Sequence, residues 1–152
     1  GFRRPILKVC DFGLAGHKQR LYVSGVNSAR GTLPWTAPEV VRNPERVDEK
    51  VDVYSFAVVM WELWTSKVPH QDLEAQTIIS GLLFNGLRPP IGSVDGPEFI
   101  VAPHPGWQAL MEQCWAEDPH KRPDFTEITS RIEGMLEDTP GKRSVYTGCF
   151  NL

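Results

Sequence analysis

The chain has 152 residues, 41% of them hydrophobic and 23% charged, with a net charge of −3. That length builds one modest domain at most, and the slightly acidic balance offers no basic surface for nucleic acid or an anionic membrane. The longest apolar run, Phe56 to Trp61, is far too short to cross a bilayer, and no secretory pattern opens the chain.

In chain order, Ile6, Leu7 and Val9 predict a short strand running into Asp11. Residues 14–36 mix Gly, Ser, Asn, Lys and Arg without a sustained period, which predicts a loop. Residues 51–65 are apolar nearly all round and predict a helix buried on every side. Residues 72–84 predict a second helix, weakened by Gly81. Five Pro and four Gly between Asn85 and Gly106 predict a long irregular connection. Trp107, Leu110, Met111, Cys114 and Trp115 recur at helical spacing and mark one face of a third helix. Asp124 with Glu127 resembles a capping box, and Phe125, Ile128, Ile132 and Met135 or Leu136 continue it as a last helix. Residues 139–152 are polar, without period, and predict a mobile tail. The three cysteines, Cys10, Cys114 and Cys149, are odd in number and widely spaced. They point away from a disulfide framework or zinc site and towards a reducing compartment, the cytoplasm. The four His show no ligand spacing.

Asp11-Phe12-Gly13 and Ala37-Pro38-Glu39 bracket 23 residues, with Gly31-Thr32 just before the close. These triplets, in this order, bracket the phosphorylatable activation loop of protein kinases. Val51 to Phe56 is similar to the buried central helix of that family. Cys114-Trp115, Asp118-Pro119 and Arg122-Pro123 are similar to its closing C-W-x-x-D-P-x-x-R-P signature. Over residues 6–137 the chain therefore resembles a protein kinase. Its wording (GTLPWTAPEV, LRPP, MEQCW) is similar to the tyrosine-kinase-like group and, within it, the Raf-like kinases. The Gly-rich loop, the V-A-I-K lysine and the H-R-D-x-x-x-x-N loop do not occur in the chain. The resemblance thus implies a mainly α fold, the C-terminal lobe of a protein-kinase-like domain. A short strand and the activation loop would lead into a helical bundle over residues 1–138, followed by the tail.

The resemblance also implies roles. Asp11 holds the Mg²⁺ that bridges the ATP phosphates, because a hard cation needs an anionic oxygen. Phe12 packs beside the metal site and Gly13 lets the triplet turn. Thr32 hydrogen-bonds the catalytic Asp of Ser/Thr-specific kinases, although Trp35 in Leu33-Pro34-Trp35 has a tyrosine-kinase flavour. Glu39 and Arg122 form a buried ion pair in which Arg supplies the bidentate fork. Asp52 accepts backbone N–H groups from the catalytic loop; read alone, it is a helix-dipole partner. Ser24, Ser28 and Tyr22 are activation-loop phosphorylation candidates, with Lys18, Arg20 and Arg30 as local pairing partners. Cys10 lines the back of the ATP pocket; read alone, it is a small buried hydrophobe.

Two functions follow. One is a fragment of an ATP- and Mg²⁺-dependent Ser/Thr protein kinase, acting on protein substrates and inactive by itself for want of the lysine, the base and the Gly-rich loop. The other is a non-catalytic, truncated kinase lobe that works by binding.

Overall fold

The computed structural model describes residues 6–10, 33–44, 47–92 and 102–138. Asp11, Phe12, Gly13, Tyr22, Ser24, Ser28, Thr32 and the tail 139–152 lie outside the described residues.

Five helices and two short 3-10 turns make up the regular structure of the described residues. In order they are the turn Leu33–Trp35, α1 (Pro38–Arg42), α2 (Lys50–Thr65), α3 (Ala75–Phe84), α4 (Pro105–Cys114), the turn Pro119–Lys121 and α5 (Phe125–Asp138). The mainly α expectation holds. The strand at 6–9 does not form: residues 6–10 have no regular structure, and Ile6, Leu7 and Val9 are exposed. A strand needs a ladder partner, and the described residues contain no other strand.

The pillar of the fold is α2. Its Val53, Tyr54, Ala57, Val58, Met60, Trp61 and Trp64 are buried. It packs against α4, the turn Leu33–Trp35 and the turn Pro119–Lys121, while α5 lies on α4 and α3 touches both α1 and the first turn. Ser66, with φ 56°, ends α2 in the left-handed conformation, and its N–H closes on Glu62 O at 2.7 Å.

The expectation of a helix buried on every side needs correction. Val59 is 39% and Leu63 69% exposed, and Asp52 is exposed on the same face. With half-buried Phe56 these residues form one stripe, spaced four, three and four residues apart, of which Asp52, Val59 and Leu63 are exposed. Phe125, 45% exposed, extends the stripe by an edge-on contact with Phe56 at 5.7 Å.

Local chemistry explains the remaining differences in boundary. α3 starts at Ala75 rather than 72, because residues 69–73 turn through His70 (φ 52°) with Leu73 N–H bonded to His70 O at 3.0 Å. Gly81 is less a weakness than a clearance: a Cβ there would lie 2.8 Å from the Leu87 side chain, which folds back over the helix. α4 begins inside the predicted irregular stretch. His104 Nδ1 accepts the Gly106 N–H at 3.0 Å, and Pro105 sits at the first helical position, where its missing N–H is harmless. The capping reading for α5 holds: Asp124 Oδ1 accepts the Glu127 N–H at 2.8 Å.

The open stripe on α2 generates a prediction. Contiguous exposed apolar surface drives association. The 152-residue chain is expected to sediment as a mixture of species, and Val59→Lys with Leu63→Lys to shift it to monomer. A monodisperse wild-type chain in analytical ultracentrifugation would contradict this.

Candidate functional site

Residues 33–42 form a short arm laid across α2. α1 has five residues, too few to be stable alone. Its N-cap, Ala37, makes no side-chain cap bond; Pro38 sets the first turn and Glu39 follows it. Tertiary bonds therefore hold the arm. Leu33, Ala37 and Pro38 are buried. Trp35 Nε1 donates to Glu62 Oε2 at 2.7 Å, and Ser55 Oγ donates to Trp35 O at 2.8 Å. Both partners lie on α2.

The strongest anchor is Glu39. Arg122 grips it with two N–H groups, at 2.6 Å to Oε1 and 3.0 Å to Oε2. Arg122 is the one charged residue in the core of the described residues, only 2% exposed. Its other donors are met by Ala116 O and Lys50 O, each at 2.9 Å, and Lys50 Nζ returns a bond to Arg122 O at 2.9 Å. Geometry of this kind, bidentate and with the remaining donors satisfied, is what a buried guanidinium requires. The Tyr54 ring lies between two guanidiniums, 5.2 Å from that of Arg122 and 5.0 Å from that of Arg88. Burial pushes the Tyr54 hydroxyl up to about 12, against the opposing pull of Arg88 and Arg122.

The sequence-predicted residues divide sharply. Glu39 and Arg122 meet in the expected buried pair. Asp52 lies in the first turn of α2, exposed, where water solvates its carboxylate and the helix dipole favours it. The cost of a carboxylate stranded in an apolar setting is thereby avoided. Cys10 is exposed, which corrects the buried-hydrophobe reading. Cys114 is the buried thiol, and burial pushes it up to about 12, so it is inert at neutral pH. Among the described residues no cluster of His, Cys, Asp and Glu could hold a metal ion. No helix among the described residues is long and apolar enough to cross a membrane.

Three contributors escaped sequence reasoning: Lys50, Tyr54 and Arg88. Each is 34 residues or more from Arg122, and no local pattern couples them. The Leu-Arg-Pro-Pro wording around Arg88 was the one available signal.

A protein tyrosine and serine/threonine kinase family model matches residues 3–132. The chain belongs to the protein kinases. It is 37% identical over 136 residues to the probable serine/threonine-protein kinase SIS8 of Arabidopsis thaliana. It is 39% identical over 128 residues to mitogen-activated protein kinase kinase kinase 12 of Rattus norvegicus, and 40% identical over 128 residues to mitogen-activated protein kinase kinase kinase 10 of Homo sapiens. These matches cover 84% to 90% of this chain but only 12% to 13% of each relative. In this kinase segment, Glu39 is the last residue of Ala-Pro-Glu and Arg122 belongs to the closing signature, so the pair joins the two ends of the matched lobe.

The geometry predicts strong coupling. Removing one partner of a buried pair costs about 3–5 kcal/mol. Glu39→Gln and Arg122→Met are each expected to destabilise the chain by about that much. The double variant Glu39→Leu/Arg122→Met should lose far less than the sum. Additive losses in urea melts would show that the two side chains are not coupled.

Proposed function

We propose that this chain is the activation-segment and C-terminal-lobe part of a serine/threonine protein kinase that transfers the γ-phosphoryl of ATP to protein hydroxyls. The observation that carries the reading is the Glu39–Arg122 fork, which ties the end of the Asp-Phe-Gly to Ala-Pro-Glu stretch to a family-matched lobe. Gly31-Thr32 and the serine/threonine names of relatives such as SIS8 support the acceptor class. A trough of about 450 Å³ borders Leu33, Pro34 and Trp35 at the foot of the arm.

ATP and Mg²⁺ are the cofactors the family implies, and the cytoplasm is the compartment that the cysteine pattern supports. When bound, the metal offsets charge on the transferred phosphoryl group. Asp11 is the residue of this chain proposed to hold it, with Phe12, Gly13 and Cys10 beside the nucleotide. One carboxylate does not make a Mg²⁺ site, and no described cluster supplements it. The role of this chain's own described residues is therefore to hold the arm and its acceptor-facing turn in place. Thr32 is proposed to orient the acceptor machinery, and Ser24 and Ser28 to take activating phosphate. Asp52 is proposed to receive backbone N–H groups from a catalytic loop on its exposed face.

The test is a chimera. Residues 6–138 replace the matching segment of human mitogen-activated protein kinase kinase kinase 10, and phosphate transfer from Mg-ATP to a mixed Ser/Thr/Tyr protein is measured. Phosphoserine and phosphothreonine are expected to dominate. Asp11→Asn should abolish transfer without lowering the thermal midpoint, since an amide is a poorer ligand for Mg²⁺ than a carboxylate. The 152-residue chain alone should transfer nothing. A folded chimera with mainly phosphotyrosine, or an active Asp11→Asn variant, would overturn the respective assignment.

A further inference from the structure

The Glu39–Arg122 fork holds the first turn of α1. A separate set of charges meets its last turn. Arg42 donates to Glu117 Oε1 at 3.2 Å, and Arg88 donates to Glu117 Oε2 at 3.0 Å. The two oxygens of a single carboxylate are thus shared between the end of the arm and a residue 29 positions earlier in the chain. Arg88 is itself fixed. Its Nε donates to Trp115 O at 2.9 Å and its other terminal nitrogen to Leu87 O at 2.8 Å. Its guanidinium also faces the Tyr54 ring, whose second neighbour is Arg122. Glu117 is pulled in two directions: partial burial raises its carboxyl, the bonds from Arg88 and Arg42 lower it, and the net direction is down.

We propose that Glu117 is a positioning residue: through Arg42 it clamps the C-terminal end of α1 onto Arg88, a second clasp for the arm besides the Glu39–Arg122 fork. The two clasps differ in kind. The fork is buried and insensitive to salt. The second clasp is half exposed, with Arg42 at 53% and Glu117 at 50% side-chain exposure, and is open to screening. Tyr54 lies between the two guanidiniums that anchor them, one from each clasp. The Pro38–Arg42 helix is therefore held rigidly at one end and adjustably at the other. In a kinase this would let charge near the arm, such as a phosphate, bias its placement. That consequence rests on the kinase reading above, whereas the clasp does not.

The experiment reads the clasp without kinase activity, so its failure is distinct from failure of the chimera. The Asn43 N–H bonds to Glu39 O at 2.8 Å and closes the last turn of α1. Its hydrogen exchange is followed by NMR in the 152-residue chain, in the Val59→Lys/Leu63→Lys background once sedimentation shows it monomeric. At about 0.05 M salt, Glu117→Gln is expected to speed exchange about two- to fivefold, the range an exposed ion pair supports. Raising salt to about 0.5 M should do the same to the parent and leave Glu117→Gln unchanged. Arg42→Met should match Glu117→Gln, the two together should be no faster than either alone, and Arg42→Lys should keep most of the protection. Unchanged exchange in Glu117→Gln, equal salt effects in both chains, or additive effects of the two substitutions would overturn the clasp.

Discussion

A guanidinium buried in an apolar core dictates much of this structure. Arg122 sits among side chains that offer no water, and an ion left unpaired there costs several kcal/mol. Its bonds must therefore come from the protein: two distant partners, Glu39 in α1 and Lys50 at the start of α2, and a nearby one, Ala116 just after α4. Meeting those needs at once fixes the relative position of three segments that share no sequence neighbourhood. The Tyr54 ring adds a fourth point of contact from the middle of the pillar helix. Hydrophobic burial alone would allow these elements to slide; the directional donors of Arg122 do not.

The pillar that these bonds clamp is apolar on most of its circumference, and this has two consequences. Helix α2 gathers α4 and the two short turns as neighbours, so the Leu33–Trp35 turn gains stability that it lacks alone, while α1 packs against α3. It also leaves Val59 and Leu63 exposed, beside a half-buried Phe56 that meets Phe125 of α5. Asp52 at the head of the same face, solvated and favoured by the helix dipole, keeps that surface from being wholly apolar.

How much of this was legible in the sequence depends on the range of the interaction. Helix 51–65 was visible as a stretch apolar nearly all round, helix 107–115 because its apolar residues recur at helical spacing, and the Asp124 cap because its partner is three residues away. The strand at 6–9 does not form because a short apolar stretch says nothing about whether a second strand is present to pair with. The early start of α4 was hidden because a Pro and a His in a Pro-rich stretch look like a breaker and a loop residue. Here they are a first helical residue and a cap. The Glu39–Arg122 pair spans 83 residues and was legible only through resemblance to a family. Lys50, Tyr54 and Arg88 reach the same cluster from other parts of the fold, and no local pattern announces a meeting that only tertiary folding creates. The exposure of Asp52 has the same cause: an apolar sequence context does not say which side of a helix lacks a neighbour.

The fork and the second clasp also set an order of dependence within the lobe. The arm 33–42 has no stable structure of its own, and its anchors Arg122 and Glu117 come from the stretch that joins α4 to α5. Any event that loosens residues 115–124 must therefore loosen the arm, although some 80 residues of chain lie between them. The converse is weaker, because the 115–124 stretch keeps its own ties through Ala116 O, Lys50 and the Asp118 and Asp124 caps. Phosphoryl transfer is catalysed chiefly by positioning and charge. A lobe built this way places its arm 33–42 through charges that lie between α4 and α5.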